Sequence, residues 1–373
     1  METQPMDASH PVSKLVAGGE NAMHSAEPEL ALRFFQRALE QQSDHEAALD
    51  GAAGAMLSLG DADGARALLR RGCELRPESS PLRWLDLAQL LEGADALAAY
   101  SKAVSLLMGR LQGAADAQTV RKQICSAKVS VAELYMTDLC TEKGAEEACE
   151  RSLREAQQFD EGAPELPQAL ASLRLSQNRQ QEAALLALEA SERTQKLIRE
   201  VAGATTALAA LQAGEDAQAD VPVGPELELR ISLTKILIEC ASQAVIEEGG
   251  HGGLCGKCAE RAAEVIHGCL EEDEDNVEQW FLLGCAAQLM VPPDLTVARD
   301  AFRQAQQMLG KIRDAFAELG EDFPYEEQEA AVQRQQALLP SQGDGEPGVR
   351  EEQGNAMEEV AEADADARPG QSR

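Results

Sequence analysis

Three kinds of side chain in this chain could do chemistry: thiols, imidazoles and carboxylates. Cys255 and Cys258 form a Cys-x2-Cys pair, with His251 before it and His267 and Cys269 after it. Zinc takes four ligands, usually supplied as two paired halves. The second half here would be His267-x-Cys269, whose side chains diverge by about 200° on a helix. A redox reading of Cys-x2-Cys requires a preceding strand, and none is evident. The pair therefore reads as incidental thiols, and neither a metal nor any other cofactor is expected. The five histidines form no nucleophile–base–acid set and no glycine-rich phosphate loop is present, so catalysis is not expected either.

The carboxylates remain. The chain holds 65 Asp and Glu against 33 Lys and Arg, a formal charge of −32. Such a field repels phosphates, so nucleic acid and anionic membrane are excluded as main partners and a basic partner is favoured. Aromatic residues make up only 3% of the chain while 44% is hydrophobic, a composition suited to closely packed helices rather than sheets. The nine cysteines are scattered through helical segments, which points to reduced thiols in cytosol or nucleus. Residues 1–10 have no cationic start and no apolar stretch, so no secretory signal is expected.

The elements that must position the carboxylates are announced by a repeat. Ala31, Phe35 and Ala38 return as Ala65, Leu69 and Gly72, then as Ala96, Tyr100 and Ala103. The same small-x3-large-x2-small spacing recurs at Cys149, Leu153 and Ala156, at Ala183, Ala187 and Ala190, and at Ala298, Phe302 and Ala305. The small residues let two helices approach, and the large one fills the space between units. Two intervals, Ala31 to Ala65 and Cys149 to Ala183, are 34 residues, the tetratricopeptide period. Trp280 followed by Leu283 and Gly284 matches that family's opening of a first helix, Pro77 stands where its terminal proline belongs, and Gly60 marks an interhelix turn. The expected fold is all-α, a tetratricopeptide superhelix or α-solenoid, which is a binding scaffold.

Along the chain, residues 1–11 read as a flexible leader and 12–340 as the solenoid. Within it, 191–257 is an irregular middle, with a long helix over 192–212, a linker over 213–225 and a glycine-rich loop over 251–257. A helix is expected over 118–139. Residues 341–373, rich in Glu and Asp, read as a disordered acidic tail. The first helix of each tetratricopeptide unit lines the concave groove. Counting from the small-residue signature puts Glu20, Asp50 and Asp138 at inward positions; Glu165, Glu278 and Asp86 are placed there too. These six are the candidate client-binding residues. A second acidic cluster, residues 271–275, reads as a turn that is either solvated or a rim for basic ligands.

Among tetratricopeptide proteins, those that clamp the C-terminal carboxylates of heat-shock chaperones need a Lys and an Asn one turn apart on the first helix. Here Lys14 is followed four residues on by Gly18, and Asn21 is preceded by Ala17. A second resemblance is closer. The stretch from Ala132 to Cys140, then Cys149-Glu150, then the stretch from Leu170 to Asn178 resembles the dedicated assembly chaperones of large-subunit ribosomal protein uL-four. So do the stretches from Asn276 to Gly284 and from Ala298 to Ala305. The resemblance implies a chaperone that takes uL-four by its Lys/Arg-rich extension and shields it, and a monomer is expected. It further implies a protein of cytoplasm and nucleus that delivers its client to nuclear pre-ribosomes and is imported with it, without contacting nucleic acid or membrane directly. The alternative is a generic tetratricopeptide adaptor or heat-shock co-chaperone.

Overall fold

The computed structural model describes residues 11–111, 113, 116–211, 224–243 and 252–340. Most of the expected leader, most of the 213–225 linker, His251 and the acidic tail from 341 onward lie outside the described residues.

All regular structure among the described residues is helical. The helices pair in order: α1 (Val12–His24) with α2 (Pro28–Gln41), α3 (Glu46–Ser58) with α4 (Ala62–Leu75), α5 (Pro81–Gln89) with α6 (Gly93–Leu111), and α7 (Ala117–Met136) with α8 (Ala145–Gln157). The pairing continues with α9 (Glu165–Ser176) and α10 (Gln180–Leu211), α11 (Leu227–Gln243) and α12 (Gly252–Leu270), and α13 (Val277–Leu289) and α14 (Leu295–Leu319); α15 (Glu326–Ala337) packs on α14 as a terminal cover. Proline at the first position starts α2 and α5, where its missing N–H costs nothing. The side chains of Asp61, Ser80, Asn276 and Asp294 accept from backbone N–H groups at the starts of α4, α5, α13 and α14. Gly60 turns the chain from α3 to α4 at φ +81°, a conformation glycine adopts without strain.

Packing follows the repeat. Each helix packs on its chain neighbours, and first helices also meet the next unit's first helix, as in α1 with α3, α7 with α9, α9 with α11 and α11 with α13. Among second helices only α10 and α12 pack closely. Same-row contacts thus fall mostly on the first helices, the row that lines the inner wall of a tetratricopeptide superhelix.

The signature residues hold this arrangement. Ala31, Ala38, Ala65, Ala96, Ala103, Ala183, Ala298 and Ala305 are fully buried, as are Phe35 and Phe302, and Tyr100 nearly so. A Cβ added to Gly19 would stand 2.6 Å from the Phe35 ring, and one added to Gly51 would stand 2.4 Å from it. Phe35 is thus wedged between glycines of its own unit and the next. Gly284 is in the same position against Phe302, at 2.4 Å. Both tryptophans tie a first helix to the turn before it: Trp84 Nε1 donates to the Pro77 carbonyl at 2.9 Å, and Trp280 Nε1 to that of Glu274 at 2.8 Å.

Three expectations need correction. The helix expected over 192–212 is the second half of one continuous helix, α10; Gly203 is the only glycine and no proline interrupts it. The glycine-rich loop is helical from Gly252, because burial overrides poor intrinsic propensity: Cys258 and Ala259 are fully buried and Gly256 lies against Val291. With α12 formed, Ala262, Ile266 and Cys269, all fully buried, supply a seventh copy of the signature. Finally, α7 ends at Met136 rather than 139; the Thr137 hydroxyl donates to the Glu133 carbonyl at 2.9 Å and the backbone leaves helical geometry there.

The glycine–ring contact gives a test. Gly284→Val is expected to lose about 1–3 kcal/mol in chemical denaturation by overpacking Phe302. Gly54→Ala, where nothing lies within 4 Å of the new Cβ, is expected to be neutral or to gain up to about 1 kcal/mol from helix propensity.

Candidate functional site

The six expected carboxylates stand in different surroundings. Asp50, on α3, holds a buried arginine. Arg83 Nε donates to Asp50 Oδ1 at 2.5 Å and Nη2 to Oδ2 at 2.8 Å, a bidentate pair. The same guanidinium donates to Glu46 at 3.1 Å, to the Ser79 hydroxyl at 3.1 Å and to the Gly72 carbonyl at 3.2 Å. Gly72 makes the room, since a Cβ there would stand 2.7 Å from the Arg83 side chain. Hydrogen bonding to Asp50 raises the Arg83 pKa further, and hydrogen bonding from Ser79, then from Arg83, holds Glu46 below the usual carboxylate range. This cluster locks the second unit to the third, and Asp50 is largely committed to it. Sequence reasoning did not single out Arg83.

Asp138 is also committed. It lies past the end of α7, and its carboxylate accepts from the Gly93 N–H at 2.8 Å at the start of α6. The inward position on α7 belongs instead to Glu133, the residue after fully buried Ala132. Counting back from Cys149 stops short because the turn between α7 and α8 is long, running from 137 to 144. The signal for Glu133 was the small residue beside it.

Asp86, Glu133 and Glu165 form a further group. All three keep contact with solvent, yet surrounding protein desolvates them and raises each pKa. Like charge adds to this: Asp50 acts on Asp86, Glu165 on Glu133, and Asp160 and Glu226 on Glu165, with Lys122 the one opposing cation. Asp50 and Asp86, on α3 and α5, are therefore neighbours, and so are Glu133 and Glu165, on α7 and α9. None of the three has an ion-pair partner among the described residues. At the ends of the wall, Glu20 is exposed on α1, and Glu278 on α13 pairs with Lys235 of α11 at 2.8 Å.

The acidic turn after α12 is partly structural. Glu272 accepts both Nη atoms of nearly buried Arg230, at 2.8 and 2.5 Å. Asp273, Glu274 and Asp275 carry no such pair among the described residues. Six of the nine thiols are buried, whereas Cys140 is exposed and Cys255 and Cys285 are half-buried; Cys258 donates weakly to the Ala184 carbonyl, and burial pushes its pKa, and that of Cys240, up to about 12. Thiols so protonated are poor nucleophiles. No described helix is long and apolar enough to cross a membrane.

A superhelix of such helix pairs is a tetratricopeptide-type α-solenoid, the expected fold class. Comparison with known proteins narrows this. The chain is 30% identical over 203 residues to a Schizosaccharomyces pombe protein named "Probable assembly chaperone of rpl4", covering 54% of this chain and 50% of that protein. It is 28% identical over 292 residues to an Emericella nidulans protein of the same name, covering 74% and 64%. The chain thus spans between half and two thirds of the length of the curated relatives it matches. A solved structure titled "Assembly Chaperone of RpL4 (Acl4)" superposes with a TM-score of 0.55 at 24% identity, over 74% of this chain and 95% of that one. No family model matches. The resemblance to assembly chaperones of this ribosomal protein, read first from the sequence, holds.

Arg83→Ala is expected to destabilise the fold by about 3 kcal/mol in urea denaturation, because it strands Asp50 and Glu46 without their cation. Asp86→Asn, which removes a desolvated and unpaired charge, is expected to leave stability at neutral pH unchanged or raised.

Proposed function

We propose that this chain is an assembly chaperone that binds the Lys/Arg-rich extension of ribosomal protein uL-four, rpl4 in the names of its relatives. The observation that carries the proposal is the row of desolvated, unpaired carboxylates at Asp86, Glu133 and Glu165 on the wall of a fold shared with a named chaperone of that protein. A basic, unfolded segment must have its charge neutralised before ribosomal RNA does so. Carboxylates on successive first helices offer an array of anionic contacts, each weak in water but additive along an extended chain. Ribosomal RNA has a much higher charge density and displaces the groove from the client. The protein acts as a monomer, shields its client in the cytoplasm, enters the nucleus with it and releases it on the pre-ribosome, with no catalytic step and no direct contact with nucleic acid.

Purified protein titrated with the isolated uL-four extension is expected to bind with an affinity that falls about tenfold or more between 50 and 300 mM salt. Glu133→Lys with Glu165→Lys should weaken binding about tenfold, whereas Glu358→Lys with Glu359→Lys should change it less than about twofold. Salt-independent binding, or equal effects of the two pairs, would return the chain to a generic tetratricopeptide adaptor.

The raised pKa values fix the sign of the pH dependence. A bound cation favours the ionised carboxylate, so binding expels protons from groups whose free-state pKa is raised. Affinity is therefore expected to fall as pH drops from 7 through the raised pKa values of Asp86, Glu133 and Glu165. In the unliganded protein the same shifts act oppositely: folded-state protonation is easier than unfolded, so these three groups favour folding more as pH falls. Isothermal titration in buffers of different ionisation enthalpy reads the proton release directly.

A further inference from the structure

On the opposite side of α13 from Glu278 lies an apolar groove of about 720 Å³. Positions 278 and 280 differ by about 200° around the helix, so Trp280 faces the groove while Glu278 faces the inner wall. Leu283, Ala287 and Met290 continue the Trp280 face, and Leu270 of α12 and Val297 of α14 close the sides. The rim is acidic: Glu260, Glu264, Glu271, Glu274 and Asp294 surround it, with His267 the only basic residue lining it. Glu264 is engaged by Arg261 and Gln195, His267 stands 3.9 Å from Glu271, and Asp294 caps α14. The exposed carboxylates of Glu260 and Glu274 have no ion-pair partner among the described residues. A groove of this composition fits a large apolar side chain flanked by Lys or Arg.

Its place in the fold says whose side chain that is. The turn over residues 271–275 contributes to this groove and to a neighbouring cavity. Glu271 and Glu274 stand on the groove rim. Asp273 and Asp275 join Glu278, Phe281 and Tyr325 around a second cavity of about 550 Å³ between α13, α14 and α15. Carboxylates of this turn therefore stand between Glu278 and the apolar groove. The protein's own residues 341–373 also begin nearby, since Arg299 Nη2 holds the Pro340 carbonyl at 2.7 Å. That segment is rich in Glu and Asp, and the rim repels it.

We infer that the basic client chain bound along the inner wall continues over the α12–α13 turn and seats a large apolar side chain in the groove against Trp280, Met290 and Val297, beneath which Leu283 and Ala287 are buried. This rests on the reading of the inner wall as the site for the uL-four extension. It adds a second, apolar anchor that fixes the register of an otherwise degenerate run of positive charge.

The test uses the full chain and the isolated uL-four extension. A photo-crosslinking residue replaces exposed Val297, and a separate Glu260→Lys/Glu274→Lys variant reverses the rim at two exposed positions, with thermal unfolding as the control for folding. The expected result is a crosslink to a large apolar residue flanked by Lys or Arg in the extension, and binding by the rim variant weakened about three- to tenfold. If the wild-type protein binds and Glu133→Lys/Glu165→Lys weakens it, while the crosslink is absent and the rim variant binds normally, the groove inference is overturned and the inner-wall reading stands. A crosslink to residues 341–373 overturns it in favour of the protein's own tail. No binding by the wild-type protein overturns both readings.

Discussion

The structure depends on how closely an aromatic ring can approach a helix backbone. Phe35 lies where Cβ atoms on Gly19 and Gly51 would collide with it, and Phe302 lies in the same way against Gly284. One ring touching backbone in two units couples their positions more tightly than side-chain interdigitation alone, because it leaves no rotamer through which the interface can slip. The buried alanines of the other signature copies serve the same end with shorter side chains. The angle between units, and hence the spacing of whatever the first helices present inward, is set by these contacts.

On that frame the acidic residues divide by what neighbours them. Asp50 and Glu46 surround Arg83, Glu272 holds Arg230, and Asp138 accepts from the N–H of Gly93. These residues spend their charge within the protein. Asp86, Glu133 and Glu165 do not, and the wall that desolvates them makes each ionised form less favourable than it would be in water. A cation brought to that wall relieves a pre-existing electrostatic strain as well as adding its own attraction. Net charge alone conveys none of this, since a carboxylate that holds an arginine and one that repels its neighbour count equally towards −32.

The fold was largely legible in the sequence because its determinant is steric and local. Small and large residues at fixed spacing can be counted, and the positions so counted are buried. The copy at Ala262, Ile266 and Cys269 was hidden by its surroundings: glycines over 252–256 argue for a loop, and only packing against α10 and α13 shows otherwise. The site was less legible. Which acid faces inward depends on register, and register was lost at the long turn of the fourth unit, so Asp138 was taken for Glu133. Arg83 is a buried cation whose carboxylate partners lie more than thirty residues away, and nothing adjacent in sequence marks it.

Helices here touch only their near neighbours along the chain, and this has a kinetic meaning. No contact waits for a distant segment to arrive, so each pair can consolidate as soon as the next one exists to cover it. The corollary is exposure at a growing or fraying end, where the last pair always presents an uncovered face. At the C-terminal end α15 supplies that cover, burying Val332 against α14. A protein with this contact pattern can mature from its first helices onward during synthesis, and the part of the inner wall that forms earliest is the one contributed by the units translated first.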